Sequence, residues 1–380
     1  MKRIVIASDS FKGSLSSAQV AECLASAFGE IDSDIQVSAV QVADGGEGTV
    51  AAIASLKPLE TVTAVAADPL GRKISARYAV GRCKSGQPEA FIEMSAASGL
   101  PLLSADERNP LLTSTFGTGL LILDALDRGC RHFTVGIGGS ATNDAGTGML
   151  EALGARFLDA SGKVIQGCGA ALSGISRIDT DGLDHRLAEC SFTIACDVDN
   201  PFCGLQGAAY VFGTQKGADS DMVKVLDLGL ERFAKVILDF NGTDVRDIPG
   251  AGAAGGLGGA FIAFLGARLE QGVDVVLDSI DFDSLIAGAD MVITGEGRLD
   301  SQTASGKTPL GVLRRAQKSG IPVIAVAGCV EQCPELDSMG FKAIYSTSEA
   351  GVPLELAMSQ SYTCERLRRI AARILEENQL

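Results

Sequence analysis

Polar, glycine-containing turns separate short apolar segments near the start of the chain, and this alternation constrains the fold more than any other feature. Residues 3–8 form an apolar run that ends at Asp9, and residues 16–28 then place apolar side chains on one helical face. Residues 35–43 repeat the strand pattern, and residues 50–56 repeat the helix. Strand–turn–helix units in succession predict parallel strands joined by right-handed crossovers, and therefore an α/β fold.

The carboxyl-terminal part of the chain repeats this alternation. Strands are predicted at 291–294, 322–327 and 343–346, with a helix at 309–318 and a long final helix from about 354 to 377. Because both ends share one pattern, the simplest arrangement is a single parallel α/β domain assembled from the two ends of the chain.

The central part of the chain has a different pattern, in which long loops separate most strands. Strands are predicted at 76–82, 89–94, 133–137 and 192–198. We therefore expect residues 1–60 and 286–380 to form the parallel α/β domain, and residues 61–285 to form a mixed α/β domain inserted into it. Ligands bind outside the carboxyl ends of parallel strands in such folds, so the active site is expected in the cleft between the domains.

Charge and cysteine usage exclude several classes of protein. The 380 residues include 32 Lys and Arg against 47 Asp and Glu, which gives a net charge of −15. A chain this acidic has no basic surface for nucleic acid. Its ten cysteines are scattered without a Cys-x-x-Cys pair, and the amino terminus carries no export signal. We therefore expect a cytoplasmic protein with reduced cysteines and no structural zinc.

One uncharged stretch, residues 248–267, is as long as a membrane helix. Seven of its residues are glycine and Pro249 stands near its start, so its hydrophobicity is too low for lipid. The pattern instead predicts a glycine-rich loop over 250–259 that leads into a buried helix. No membrane association is expected.

Two early turns carry charged side chains suited to phosphate and metal. Lys12 stands beside Gly13 just before a predicted helix, where backbone N–H groups and a lysine charge both favour an anion. Asp44 and Glu47 stand among three glycines, and such carboxylates bind Mg²⁺ or accept a proton. In the first turn, an equally good interpretation is that Asp9 and Ser14 only cap the turn and the helix while Lys12 is solvated. In the second turn, capping would need at most one of the two acids, which favours a functional role.

The turn over 136–148 follows a predicted strand and allows three interpretations. Its spacing fits the G-x-G-x-x-[GA] pattern of dinucleotide sites, and Asp159 stands where a ribose-binding acid would be expected. It also suits a nucleotide phosphate loop, for which the candidate residues are Gly138, Gly139, Ser140, Thr142 and Asn143. The third interpretation is a structural turn.

Carboxylates also end the strand at 192–198. Asp197 and Asp199 would share one face if the strand continued, at a spacing that a divalent cation can bridge. Pro201 makes a turn equally consistent with the sequence.

The densest group of charges follows the strand at 291–294. Glu296, Arg298, Asp300 and Lys307 fall within twelve residues, and together they suit a small hydroxy acid: a cation binds the carboxylate, and carboxylates bind hydroxyl groups. Residues 306–308 resemble the end of a Walker A loop, but the glycine required five residues earlier is Ser301. A charged surface loop is the structural alternative.

Together these motifs resemble the type 1 glycerate kinases of bacteria. The matching segments are DSFKGS (9–14), DGGEGT (44–49), IEMSAASGL (92–100), RNP (108–110), GIGGSATNDAG (136–146), CDVDNP (196–201) and TGEGRLDSQT (294–303). The resemblance implies ATP-dependent phosphorylation of D-glycerate, usually to 2-phosphoglycerate, by two α/β domains. One of these domains would be flavodoxin- or Rossmann-like and built from both chain ends.

Phosphoryl transfer needs charge neutralisation on the phosphate and an acceptor for the hydroxyl proton, which guides the assignment of roles. We expect Asp197 to accept the proton and Lys12 to bind phosphate, with Lys307 as the second choice. We expect Asp44 and Glu47 to bind Mg²⁺. The 138–143 turn would hold the nucleotide, and the group from Glu296 to Lys307 would bind glycerate, with Arg298 on its carboxylate and Asp300 on its free hydroxyl.

An alternative function is a nucleotide-dependent oxidoreductase of a small hydroxy acid that uses the segment from Gly136 to Ala141. A hydroxy-acid sensor is a further alternative, but the sequence contains no recognisable output domain. Homo-oligomerisation is left open.

Overall fold

A computed structural model describes residues 2–11, 13–42, 49–54, 57–83, 85–300, 303, 307–331, 333–349 and 351–378. The strands are β1 (Lys2–Ser8), β2 (Ile35–Gln41), β3 (Glu60–Ala67), β4 (Lys73–Arg82), β5 (Pro88–Glu93), β6 (His132–Gly136), β7 (Arg156–Leu158), β8 (Val164–Ile165), β9 (Arg177–Asp179), β10 (Ser191–Ala195), β11 (Arg268–Glu270), β12 (Met291–Leu299), β13 (Val323–Val330) and β14 (Ala343–Ser346). The α-helices are α1 (Ser17–Ile31), α2 (Thr49–Ala54), α3 (Ser95–Ser98), α4 (Phe116–Asp127), α5 (Thr147–Ala152), α6 (Ala208–Phe212), α7 (Ser220–Asn241), α8 (Ala253–Leu265), α9 (Gly272–Ser279), α10 (Phe282–Ile286), α11 (Thr308–Lys318), α12 (Pro334–Ser338), α13 (Leu354–Ala357) and α14 (Gln360–Asn378).

The described residues divide into two compact units. Those within Met1–Asp44, Ala51–Lys57 and Val273–Leu380 form the terminal unit, and those within Gly45–Val50 and Pro58–Gly272 form the central unit.

The terminal unit contains a parallel five-stranded sheet in the order β14-β13-β12-β1-β2. Its middle strands are buried on both faces. Ile4 and Ile6 pack with apolar residues of α1 and α14, while Val5 and Val292 pack with apolar residues of α9, α10 and α11. Continuous apolar strands covered by helices on both faces are typical of parallel sheets, so the predicted α/β class is confirmed.

The largest differences between predicted and observed elements of the terminal unit are at β12 and at the final helix. The strand expected at 291–294 continues to Leu299, because β13 pairs with it as far as Leu299 opposite Val330. Gly295 permits this pairing, since a Cβ there would collide with the carbonyl oxygen of Val326. The single final helix is instead two, α13 and α14, with Met358 and Ser359 between them.

The expectation of fully reduced cysteines is wrong at one pair. Cys23 of α1 and Cys364 of α14 form a disulfide, although 341 residues separate them in the sequence. These two helices pack side by side on the parallel sheet. Only the fold brings the two cysteines together, so their positions in the sequence do not indicate the pairing. The other eight cysteines are free.

The central unit contains a mixed six-stranded sheet in the order β11-β10-β6-β5-β4-β3. Strands β11, β10, β6 and β5 are parallel, and β4 and β3 continue the sheet antiparallel. A small antiparallel sheet, β8-β7-β9, accompanies it. Because β6 and β10 are parallel neighbours, the segments that follow them leave the same edge of the sheet.

Helix α8 corrects the interpretation of the glycine-rich stretch. A loop was expected over 250–259, but helix α8 begins at Ala253. Three consecutive residues, Ala254 to Gly256, have left-handed backbone angles inside it, so the helix contains a kink. Within the described ranges, no helix combines the length and apolar composition needed to cross a membrane.

Candidate functional site

The glycine-rich turn after β6 is held in place by backbone hydrogen bonds to the end of α3 and to the residues that follow it. Leu100 N donates to Gly139 O at 2.9 Å, and Ala141 N donates to Ser98 O at 2.9 Å. Gly139 has φ of +70°, which glycine adopts without strain. The turn therefore has a fixed conformation that exposes its backbone to the adjoining cavity.

That cavity lies within the central unit and has a volume of about 370 Å³. Its lining includes Gly138, Gly139 and Ser140 from the turn after β6 and Asp197 from the segment after β10. The structure therefore brings four of the predicted site residues to one cavity, as expected when two parallel neighbouring strands end at the same sheet edge.

Asp197 is exposed to solvent at this cavity. Its Oδ1 accepts a hydrogen bond of 2.8 Å from the backbone N–H of Gly272, at the start of α9. This bond fixes the carboxylate and leaves it accessible, which suits a group that exchanges a proton with a ligand. Asp199 is also exposed but is not among the described residues that line the cavity.

The other two predicted residues of the turn, Thr142 and Asn143, are fully buried and do not line the cavity. Among the described residues, Thr142 Oγ1 and both polar atoms of the Asn143 side chain have no hydrogen-bond partner. Buried polar groups without partners cost free energy and are uncommon in folded proteins. The structure therefore places these two side chains inside the protein and not at the cavity, where they were expected.

Asp144 supports the turn from inside the protein. It is completely buried, and its carboxylate accepts hydrogen bonds from Thr115 N (2.7 Å), Thr115 Oγ1 (2.8 Å), Gly148 N (3.1 Å) and Gly146 N (3.2 Å). Burial raises the pKa of Asp144, and these donors act in the opposite direction. Asp144 therefore joins the turn to the starts of α4 and α5 and has a structural role.

The kinked start of α8 packs closely against the same turn. Gly255 has φ of +70°, and a Cβ at this position would collide with the carbonyl oxygen of Thr142. Gly255 O in turn accepts a hydrogen bond of 2.9 Å from Ala145 N. The glycines of the 250–259 stretch thus allow the backbone of α8 to approach the backbone of the turn after β6. The glycine content of the stretch did not by itself predict this close packing.

Lys216 is a cavity residue that the sequence analysis did not identify. Its side chain is 2% exposed, and its Nζ donates a hydrogen bond of 2.7 Å to Thr142 O. Burial lowers the pKa of Lys216 to about 7, and Asp144 acts in the opposite direction. The only signal in the sequence is a lysine between Gly213 and Gly217, which is too common to indicate a buried position.

The terminal unit holds a second group of predicted residues, along β12. Glu296 is 8% exposed, its Oε1 accepts a hydrogen bond of 2.6 Å from Thr303 Oγ1, and its Oε2 lies 3.9 Å from Lys307 Nζ. Burial raises the pKa of Glu296 to about 7. The Thr303 hydrogen bond and Lys307 lower it, whereas Asp9 and Asp300 raise it.

Arg298 and Asp300 differ from Glu296 in their exposure and pairing. The Arg298 side chain is exposed, forms an ion pair with Glu331, and lies 3.5 Å from an oxygen of Asp300. Asp300 is mostly buried, and its backbone N–H donates to Thr303 Oγ1 at 3.2 Å. Glu296, Arg298, Asp300 and Lys307 are therefore close together, although the first two lie on a strand and not on the expected loop.

Three predicted residues, Lys12, Asp44 and Glu47, lie outside the described residues. Among the described residues, no group of three or more His, Cys, Asp or Glu side chains is arranged to bind a metal ion.

The dinucleotide interpretation of the 136–148 turn does not fit the structure. Asp159, the expected ribose ligand, accepts hydrogen bonds from Ser161 N, Ser161 Oγ and Lys163 N within its own turn. That turn joins β7 to β8 in the small antiparallel sheet, whereas a dinucleotide fold places the acid after the next parallel strand. Helix α5 also spans only six residues.

Comparison with known proteins identifies the family. The family model described as "Glycerate kinase family" matches residues 4–378. The chain belongs to the glycerate kinase family. It is similar to a glycerate kinase of Bacillus subtilis strain 168, with 46% identity over 375 residues (98% of this chain and 97% of the relative). It is also similar to a glycerate 2-kinase of Escherichia coli K12, with 45% identity over 374 residues (97% of each chain).

A solved structure supports the same assignment. A crystal structure of a protein provisionally assigned as glycerate kinase 2, from Salmonella typhimurium LT2, matches with a TM-score of 0.87 and 44% identity, and each chain is covered completely. Because family membership extends over nearly the whole chain, the protein is an enzyme, a kinase of the glycerate kinase family.

Proposed function

We propose that this kinase transfers the γ-phosphoryl group of ATP to the 2-hydroxyl of D-glycerate, giving 2-phosphoglycerate and ADP, as a member of the bacterial type 1 glycerate kinases. The observation that carries this proposal is the match to relatives named glycerate kinase and glycerate 2-kinase over nearly the full chain at 45–46% identity. The use of ATP favours the cytoplasm as the location.

The central-unit cavity is our proposed nucleotide phosphate site. Its rigid glycine-rich turn presents backbone to the cavity, as phosphate-binding turns do. Asp44 and Glu47 remain our proposed Mg²⁺ ligands on the sequence alone, and Lys12 our proposed additional phosphate ligand.

Asp197 is our proposed proton acceptor. As the 2-hydroxyl oxygen forms a bond to the γ-phosphorus, the bond between that phosphorus and the ADP oxygen breaks, and the hydroxyl proton passes to the Asp197 carboxylate. The exposed position of this carboxylate at the cavity, fixed by the N–H of Gly272, supports the role.

Arg298, Asp300, Glu296 and Lys307 are our proposed ligands for glycerate. Arg298 is exposed, so a substrate carboxylate can replace Glu331 as its partner at little cost, because exposed ion pairs contribute little stability. A second cation, Lys307, lies close to Glu296. Together they suit a small molecule that carries both a carboxylate, which binds cations, and hydroxyl groups, which bind carboxylates.

Substrate-dependent release of ADP tests the proposed reaction. With Mg²⁺ and ATP, we expect rapid ADP formation with D-glycerate and at least about a hundredfold slower formation with D-lactate, which lacks the 3-hydroxyl, because a site built to bind a hydroxyl rejects an analogue without it. Equal rates with and without D-glycerate would contradict the proposal.

A further inference from the structure

Lys216 has an uncommon environment for a lysine. It ends the short 3-10 turn Thr214–Lys216, and its side chain is 2% exposed. Its ammonium has three N–H donors, and its one hydrogen bond within the described ranges is the 2.7 Å bond to Thr142 O. Two donors therefore remain for another partner.

The positive charge of Lys216 is only partly compensated. No described carboxylate lies within ion-pair distance of its Nζ, and Asp144 attracts it from farther away while accepting four hydrogen bonds of its own. A buried charge without a close partner is costly, and proteins reduce the cost by releasing the proton or by binding a counter-ion.

The surroundings of Lys216 indicate where a counter-ion would bind. The cavity of about 370 Å³ has Lys216 in its lining, together with Gly138, Gly139 and Ser140 of the glycine-rich turn. A lysine and a turn of accessible backbone at one cavity are the components from which phosphate sites are built. Asp197 also lines this cavity.

We infer that Lys216 contacts the phosphate groups of the bound nucleotide in this cavity, and that it takes up a proton when the nucleotide binds. That the bound anion is a nucleotide phosphate rests on the proposed function. That an anion binds beside Lys216 rests on the burial of its ammonium and on its position at the cavity. Lys216 also fixes Thr142 O, so the same ammonium connects the bound phosphate to the glycine-rich turn.

The proton uptake follows from linkage. Burial lowers the pKa of Lys216 to about 7 in the free protein, so the neutral amine is favoured at about pH 8. A nearby phosphate favours the charged form and raises this pKa. Binding should therefore draw a proton from the buffer at this pH, where the phosphates of free ATP are already deprotonated.

Calorimetric titration of the unmodified protein with ATP, without glycerate, tests this inference. The experiment is run at about pH 8 in several buffers of different ionisation enthalpy, and the slope of observed heat against that enthalpy gives the proton uptake. We expect uptake near one proton with ATP and none with adenosine, which has no phosphate. No uptake with ATP, or uptake with glycerate alone in place of ATP, would overturn the inference.

Two variants assign the uptake to Lys216. Lys216→Met should lose the uptake and bind ATP at least about tenfold more weakly, since a charge-assisted contact is removed. Lys224→Met, at an exposed lysine paired with Asp221, should keep both. A purely structural role for Lys216 would lower the melting temperature without affecting the uptake, and a Lys216→Met protein that keeps the uptake would contradict us.

The inference and the proposed function can fail separately. If ATP binds with Lys216-dependent proton uptake but D-glycerate is not phosphorylated, the proposed function is wrong and the inferred phosphate site is supported. If D-glycerate is phosphorylated and the uptake is absent, the function stands and the role of Lys216 is wrong.

Discussion

The hydroxyl of Thr303 donates a hydrogen bond of 2.6 Å to Oε1 of Glu296, a carboxyl group that the parallel sheet of the terminal unit buries almost completely. The bond favours the ionised form of Glu296, and burial opposes it more strongly, so the pKa of Glu296 is raised to about 7. Glu296 therefore changes charge near neutral pH.

This titration should make the stability of the protein depend on pH. The pKa of Glu296 rises from an ordinary 4.5 to about 7 on folding, so the stability it contributes is complete below pH 4.5 and is lost as pH rises through 7. Glu296→Gln cannot ionise and still accepts from Thr303. As pH rises, the parent should lose stability that this variant keeps. The unfolding free energy of the variant minus that of the parent should therefore be roughly 2 kcal/mol larger at about pH 8 than at about pH 5.5.

Urea unfolding at both pH values measures this difference. Glu376→Gln, at an exposed position of α14, is the control and should show no such pH dependence. A constant offset between Glu296→Gln and the parent would show that Glu296 does not titrate in this range.

Asp144 should be essential for stability. Its carboxylate accepts from four donors inside the protein, and an amide would turn its own N–H groups toward some of them. Asp144→Asn should lower the unfolding free energy by about 2–4 kcal/mol. Asp221→Asn, at an exposed position in the first turn of α7, should change it by less than about 1 kcal/mol, and similar losses in both variants would argue against this account.

Asp197 should affect turnover more than nucleotide binding. Asp197→Asn keeps an oxygen that can accept from Gly272 but removes the proton acceptor, so kcat should fall by about 10²–10⁴ while the Kd for ATP stays within about twofold. Asp199→Asn is the matched control from the same exposed segment and should retain kcat. Steady-state kinetics measures kcat, and titration with ATP measures the Kd, so the two effects are determined separately. A normal kcat in Asp197→Asn would remove this residue from the mechanism.

The disulfide between Cys23 and Cys364 should be detectable by thiol counting. In denaturant without reductant, a thiol reagent should react only with the eight free cysteines. After reduction it should react with all ten. Cys364→Ser should cost about 2–4 kcal/mol of unfolding free energy under oxidising conditions, because the bond constrains the unfolded chain. Cys329→Ser, at an exposed free cysteine, should be neutral, and ten reactive thiols before reduction would show that the bond is absent.

The sequence predicts all five strands of the parallel sheet in the terminal unit, because apolar runs and their bounding turns are local signals. The strand at 343–346 has the same bounds in the structure, and β1 and α11 begin one residue before the predicted bounds. Extension of β12 to Leu299 was not predictable, because pairing with β13 overrides the polar sequence of that segment.

At the candidate site, too, the sequence predicts residues marked by a local pattern and misses those placed by long-range packing. Gly138, Gly139, Ser140 and Asp197 were identified because they follow strands, where ligand sites of parallel sheets occur. Lys216 follows no strand and reaches the cavity from a 3-10 turn that packs beside Thr142. Its burial, like the pairing of Cys23 with Cys364, results from long-range packing that leaves no local pattern in the sequence.

The most direct test of the proposed reaction is phosphorus NMR of the products formed from Mg²⁺-ATP and D-glycerate. We predict ADP and one new phosphomonoester resonance that coincides with added 2-phosphoglycerate and couples to the single proton on carbon 2. A resonance that coincides with 3-phosphoglycerate, or ATP hydrolysis to inorganic phosphate alone, would contradict the account.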